Sequence, residues 1–302
     1  MRYGVTIDVS APIPAVIEET AAYREAGFDF VASSQIFGYD ALTLLAVIGA
    51  QVPDIELVTA VVPTYPRHPI MLAAQALTVQ AATGGRLALG IGLSHQIVIE
   101  SLYGYSFERP ARHMRDYLSA LMPLLHGEQV AFEGETLKAS TLGPLEIVAP
   151  APPVIVAALA PVMLKLAGSL ADGTATWMTG PATLESHIIP SINAAAADAG
   201  RPAPRIEAAF PVCVTTDPDA ARELAARVFS IYGQLPSYRA MLDKEGASGP
   251  GEVAIVGDET AVATEIRQLS EIGVTDFGAA PYGSPDQLSA TRTLLADLAN
   301  DR

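Results

Sequence analysis

Two short stretches gather the residues best suited to chemistry. The first, Thr59-Ala60-Val61-Val62-Pro63-Thr64-Tyr65-Pro66-Arg67-His68-Pro69, sets three prolines, an arginine and a histidine just ahead of a helix. The second, Leu89-Gly90-Ile91-Gly92-Leu93-Ser94-His95, leaves a strand through two glycines and an imidazole. A neutral imidazole there can hydrogen-bond a ligand and a charged one can donate a proton, so His95 is the candidate for proton transfer. Gly90 and Gly92 carry no Cβ and would let a flat ligand approach the backbone. They do not make a dinucleotide fingerprint, because position 95 is His and no acidic ribose-binding residue follows at the required distance. His68, next to a proline that opens a helix, reads as part of that turn. His113, His126 and His187 fall within or at the ends of helices and are expected at the surface. No pair among the five histidines has metal-ligand spacing, so no metal is expected. Cys213, the single cysteine, lies in the apolar run Phe210-Pro211-Val212-Cys213-Val214 and reads as core, excluding an internal disulfide and a multi-cysteine metal site.

Such residues need a scaffold that brings strand ends together. Short apolar runs rich in Val, Ile and Ala recur between longer helical stretches, which is what a parallel sheet covered on both faces requires. Strands are expected near 3-8, 29-34, 56-62, 86-91, 153-158, 173-178, 207-214 and 274-279. Eight close a barrel, so the fold class is α/β, a (β/α)8 TIM barrel forming one domain over 1–302. Helices are expected between the strands, with a last one from Pro285 to Leu298. Glycines at Gly27, Gly84-Gly85 and Gly273 stop helices before the next strand. Two stretches break the repeat and are expected as insertions at the C-terminal face: Gly127 to Pro153, and Gly233 to Gly257 with the linker-like Gly246-Ala247-Ser248-Gly249-Pro250-Gly251. In barrels of this kind the active site lies at the C-terminal ends of the strands and the loops that follow, which is where both chemistry-bearing stretches fall.

Half of the 302 residues are apolar, yet the net charge is -15, a pattern of buried strands beneath an acidic surface. That charge argues against nucleic acid or an anionic membrane as partner, and points to a small-molecule substrate. The opening Met1 to Asp8 reads as a strand with no signal-like apolar stretch, and the apolar run near Ala41 to Ala50 is too short to span a bilayer, so a cytoplasmic location is expected.

The run from Thr59 through Arg67-His68-Pro69 and Ala76-Leu77-Thr78 to Gly84-Gly85-Arg86-Leu87-Ala88-Leu89-Gly90-Ile91-Gly92 resembles the luciferase-like oxidoreductases. Further points of likeness are Arg112 to Phe132 with Gly134-Glu135, Leu166-Ala167-Gly168 with Ala171-Asp172-Gly173, and Val256-Gly257-Asp258 to Gly273. Within that family the sequence is most similar to the actinobacterial branch that uses coenzyme F420, a deazaflavin; FMN is the alternative cofactor. The resemblance implies a ring across the barrel mouth, supported by a bulge with a non-prolyl cis peptide joining Ala60 to Val61. It implies further that Leu93, Ser94 and His95 contact the ring edge, and that Ala158, Leu159 and Ala160 offer backbone N–H groups to the cofactor phosphate. Many relatives have a glycine pair at the last site and, after the second strand, an acid and a histidine following a serine. Here the residues are Leu159-Ala160 and Ser34-Gln35-Ile36, so inherited proton chemistry is lost and Gln35 is left to hydrogen-bond the ring. Lys165 is a further candidate near the phosphate, and Trp177 and Tyr282 are candidates to line an apolar substrate pocket.

The implied function is an F420-dependent hydride transfer to or from a small, largely apolar substrate by a homodimer. The alternatives are an FMN-dependent monooxygenase fed by a separate reductase, and a barrel that binds without catalysing.

Overall fold

The computed structural model describes residues 1–301. Its strands, in chain order, are β1 (Arg2–Thr6), β2 (Phe30–Ser33), β3 (Glu56–Thr59), β4 (Val62–Pro63), β5 (Leu87–Gly92), β6 (Ala131–Glu133), β7 (Lys138–Ser140), β8 (Val154–Ala157), β9 (Gly173–Trp177), β10 (Arg205–Val214), β11 (Ile255–Gly257) and β12 (Asp276–Pro281). Eight of them close a parallel ring: β1 pairs with β2, then β3, β5, β8, β9, β10 and β12 follow, and β12 returns to β1. The expected (β/α)8 barrel is therefore present. Every residue of β2 and β5 is buried, as strands covered by helices outside and packed side chains inside must be.

Helices lie outside the ring, and five of them begin on side-chain caps: Asp40, Asp217 and Asp258 each accept from a backbone N–H three residues on, His68 Nδ1 accepts from Ile70 N–H, and Ser284 forms a reciprocal capping box with Gln287. The ring is held at its N-terminal end by charge. Arg205 of β10 reaches Glu56 of β3 at 2.9 Å and Asp276 of β12 at 2.7 Å, and Arg2 of β1 reaches the same two carboxylates at 2.9 and 3.0 Å. Glu207 is buried just above this network. Burial, with Asp276 and Glu56 nearby, pushes its carboxyl up to about 7 against the pull of Arg205 and Arg2.

Departures from the expected elements have local causes. The expected third strand does not run through to residue 62; it breaks at Ala60-Val61 and resumes as β4, which pairs with β5. The first insertion forms the antiparallel β6–β7 hairpin and an extended strap. Both lie against the outer helices, with Leu145, Ile147 and Ala149 facing Leu77 and Leu125. The second insertion is not a linker. It holds a helix, Pro236–Glu245, a short 3-10 turn, Pro250–Val253, and β11, which pairs with β10. Arg239 ties its glycine-rich end down by donating to the carbonyls of Ala247 at 2.6 Å and Ser248 at 2.9 Å.

Two of the three histidines expected at the surface are not there. His113 is 8 % exposed, stacked on Tyr65 at 4.0 Å with its Nε2 3.1 Å from Thr64 Oγ1, and burial pushes its imidazole down to about 4. His187 is half-buried and donates from Nε2 to the carbonyl of Leu159 at 2.8 Å. His126 is exposed, and Cys213 is buried as expected. Among the described residues no helix is long and apolar enough to cross a membrane.

Candidate active site

The C-terminal rim of the ring is built on the break in the third strand. The Ala60-Val61 peptide is cis, at the position the sequence resemblance implied. Hydrogen bonds fix the bulge from both sides. Ala60 N–H donates to the Ser33 carbonyl at 2.8 Å, Ser34 Oγ donates to the Ala60 carbonyl at 2.9 Å, and Thr59 Oγ1 donates to the Gly90 carbonyl at 2.8 Å.

The two glycines of β5 serve this bulge. A Cβ at Gly90 would stand 1.8 Å from the Thr59 carbonyl oxygen, and one at Gly92 would stand 2.7 Å from Val61 Cγ2. The space kept free at these positions is thus taken by the neighbouring strand, which corrects the expectation that it admits a ligand. What faces the mouth instead is a low platform of small side chains, Ala60, Val61 and Ala157, all half-buried.

The remaining expected site residues lie at the ends of β2, β5 and β8. Leu93, Ser94 and His95 leave β5 half-buried, with Ser94 at φ 60°, a left-handed conformation that a non-glycine residue adopts only where its surroundings hold it. Met178, just past β9, has the same feature at φ 52°. Gln35 does not present its carbonyl to the mouth: Oε1 accepts from Ala41 N–H at 2.8 Å and from Arg67 at 3.3 Å, while Arg67 also pairs with Asp40. Its amide nitrogen is the group left to donate. Ala158 is buried, Leu159 is half-buried, and Ala160 is the exposed N-cap of helix Pro161–Leu170, where no side chain supplies a cap bond. The first N–H groups of that helix therefore face outward as donors suited to an anion. Lys165 is exposed on the same helix.

Above the platform runs an arc of rings. His95 lies 5.9 Å from Tyr238, Tyr238 5.0 Å from Tyr232, Tyr232 6.0 Å from Trp177, Trp177 5.7 Å from Phe229 and Phe229 6.0 Å from Tyr282, centroid to centroid. Trp177, at the centre, is half-buried, whereas Tyr282 is 8 % exposed and donates to the Ala221 carbonyl at 3.0 Å, so it packs beneath the arc. Burial holds the His95 imidazole below the ordinary histidine range and pushes the Tyr232 and Tyr238 hydroxyls up. Near neutrality all three are uncharged.

Sequence reasoning missed Phe229, Tyr232 and Tyr238. The one available signal was two tyrosines and a phenylalanine within a stretch otherwise rich in Gly, Pro and Ser. Thr179 Oγ1 and the Tyr65 hydroxyl are buried without a hydrogen-bond partner, at the loops leaving β9 and β4. No group of three or more His, Cys, Asp or Glu able to hold a metal occurs among the described residues.

A 5,10-methylenetetrahydromethanopterin reductase from Methanolobus tindarius is 26 % identical over 303 residues, covering 99 % of this chain and 91 % of that protein. The solved structure of the coenzyme F420-dependent tetrahydromethanopterin reductase from Methanopyrus kandleri superposes with a TM-score of 0.81 at 21 % identity, covering 98 % of this chain and 97 % of that one. The oxygenating constituent of 3,6-diketocamphane monooxygenase from Pseudomonas putida, solved with FMN, superposes with a TM-score of 0.77 at 16 % identity, covering 99 % and 97 %. At such identities the two structures show a shared fold. The family described as luciferase-like monooxygenase matches residues 2–276, and the chain belongs to that family.

Proposed function

We propose that this protein is a coenzyme F420-dependent oxidoreductase acting on a small, largely apolar substrate. The observation that carries the reading is the Ala60-Val61 bulge, a low apolar platform with an uncharged histidine at its rim. Small side chains there fit a flat ring, and the uncapped helix start at Ala160 fits a phosphate. When bound, a deazaflavin supplies a hydride donor or acceptor at ring carbon C5. The relatives named as methanopterin reductases support this cofactor over FMN.

The chain's residues do the rest. Ala60 and Val61 support the ring from behind, while Leu93, Ser94, His95 and the Gln35 amide contact its edge. Backbone N–H groups of Ala158 to Ala160 hold the phosphate. His95, neutral in its apolar setting, has one N–H to donate and one nitrogen to accept, so it orients a polar group of the substrate and takes or returns one proton. The aromatic arc keeps water from the reacting faces.

The FMN-bound neighbour favours a second reading, a monooxygenase using the same platform with reduced FMN. Spectral titration of the purified protein with both cofactors separates the two. Micromolar binding of F420 with no response to FMN is expected, and the reverse would overturn the first reading. Replacing His95 by Ala is expected to weaken F420 binding far less than it lowers turnover, which should fall by roughly a hundredfold, the lower end for a lost proton-transfer group.

We further propose a homodimer, formed through helices Ala41–Gly49 and Pro69–Thr83. Neither helix carries a charged residue, although the chain's net charge is -15. The groove between them is lined by Leu42, Ala46, Ala74 and Val79 with the uncharged Thr43, Gln75 and Thr78, and by Asp40, whose carboxylate is paired with Arg67; Met71 and Val47 are exposed on the same two helices. Two copies of so acidic a protein repel wherever charged faces meet, and a face whose one carboxylate is already paired with an arginine can be shared by two-fold symmetry.

A further inference from the structure

The second insertion, together with the 3-10 turn Ser230–Gly233 just ahead of it, places two tyrosines over the mouth, and its helix is locked there. Helix Pro236–Glu245 ends in Glu245, whose carboxylate accepts from Ala182 N–H at 3.1 Å and Thr183 N–H at 2.7 Å, in the loop leaving β9. The carboxylate packs so closely that a Cβ at Gly180 would lie 2.1 Å from Glu245 Cδ. Tyr238, on the same helix, is thereby set against His95, and Tyr232 sits between Tyr238 and Trp177. The rings of Tyr238 and Tyr232 meet edge to face, at 75°.

We propose that Tyr232 and Tyr238 complete the substrate-recognition wall of this site, and that the wall selects neutral, flat, unsaturated molecules. Aromatic rings gain from another π system through complementary faces and edges, a gain that a saturated ring of the same size does not offer. No Lys, Arg, Asp or Glu belongs to the arc, so an ionic substrate finds no counter-charge on that wall. The two phenols remain protonated through neutral pH, and each can donate to a carbonyl on such a molecule. Glu245 acts on recognition as a positioning residue, through the helix it anchors.

The inference rests on the oxidoreductase reading, but the two can fail separately. Trp177 is the single tryptophan, so its fluorescence reports occupancy of the arc. Four probes of similar size are titrated with and without F420: acetophenone, its ring-saturated counterpart 1-cyclohexylethanone, benzoate and trimethylanilinium. Acetophenone is expected to bind most tightly. Tyr238→Leu is expected to cut its preference over the saturated ketone by about two- to tenfold, the range of an aromatic contact, and Tyr238→Phe to retain it. Glu245→Ala is expected to weaken acetophenone while leaving F420 affinity unchanged. Equal binding of the two ketones, tighter binding of either ion, or an unaltered preference in Tyr238→Leu would overturn the proposal. Tyr232→Leu provides the same readout if Tyr238→Leu does not fold. Loss of F420 binding by the unaltered protein would instead sink the oxidoreductase reading and leave probe selectivity as an independent result.

Discussion

The carbonyl oxygen of Thr59 occupies the space where a side chain at Gly90 would begin, 1.8 Å from the position of its Cβ. A backbone oxygen cannot swing aside as a flexible side chain can. Gly90→Ala must therefore displace the Ala60-Val61 bulge. We expect it to lower Tm by several degrees, consistent with the roughly 1–3 kcal/mol typical of overpacking, and to abolish cofactor binding. At Gly92 the obstacle is a Val61 methyl, so Gly92→Ala is expected to weaken binding less. Spectral titration of the two variants checks the order.

Glu207 predicts a pH dependence of stability. Its carboxyl is pushed up to about 7 in the fold, above the ordinary 4.5 expected of the unfolded chain. Between these values the unfolded state sheds a proton that the folded state keeps, so stability falls as pH rises from about 4.5 to about 7 and then levels. Glu207→Gln removes the charge. Urea unfolding at pH 8 is expected to show it more stable than the parent, by up to on the order of 3 kcal/mol, and the difference should vanish near pH 4.

His113 acts in the opposite sense. Burial pushes its imidazole down to about 4, so the unfolded chain takes up a proton below about 6.5 that the folded protein refuses. Stability is lost as pH falls from about 6.5 to about 4. His113→Gln should flatten that window in an acid unfolding series, at the cost of a constant loss from the broken stack on Tyr65.

The dimer face is tested by charge. Ala46→Glu or Ala74→Glu places like charges across the two-fold in a groove whose one charged lining residue, Asp40, is paired with Arg67. Light scattering after size exclusion is expected to show a monomer for either variant and a dimer for the parent. A parent that runs as a monomer would sink the proposal.

How much of this was legible in the sequence depended on the range of the forces involved. The eight barrel strands announce themselves locally, because a strand such as Leu87–Gly92 is buried on both sides and reads as a continuous apolar run. The rim was legible for the same reason, since strand ends in this fold become site by rule. The role of Gly90 was misread because its partner, Thr59, is a backbone atom on another strand, invisible to any pattern in the sequence. His113 was misplaced because the rings that bury it come from Tyr65, forty-eight residues earlier by number. The arc was missed because Tyr238 acquires meaning only when Glu245 anchors its helix to Ala182 and Thr183, some sixty residues upstream, and Tyr232 only when it meets Tyr238 and Trp177. Chemistry that relies on such distant bonds leaves no local trace.

The ring's closure has a consequence for the newborn chain. β1 finds one of its two neighbours in β12, so Arg2 meets Asp276 only after the 274 residues that lead to it have been made. Until then the sheet has two open edges, each a row of unpaired backbone groups able to recruit another strand. A nascent chain stopped before β12 is not a smaller barrel but an adhesive half-finished one. The opposite charges of Arg2 and Asp276 are well placed to guide the last strand onto the first and so seal the ring.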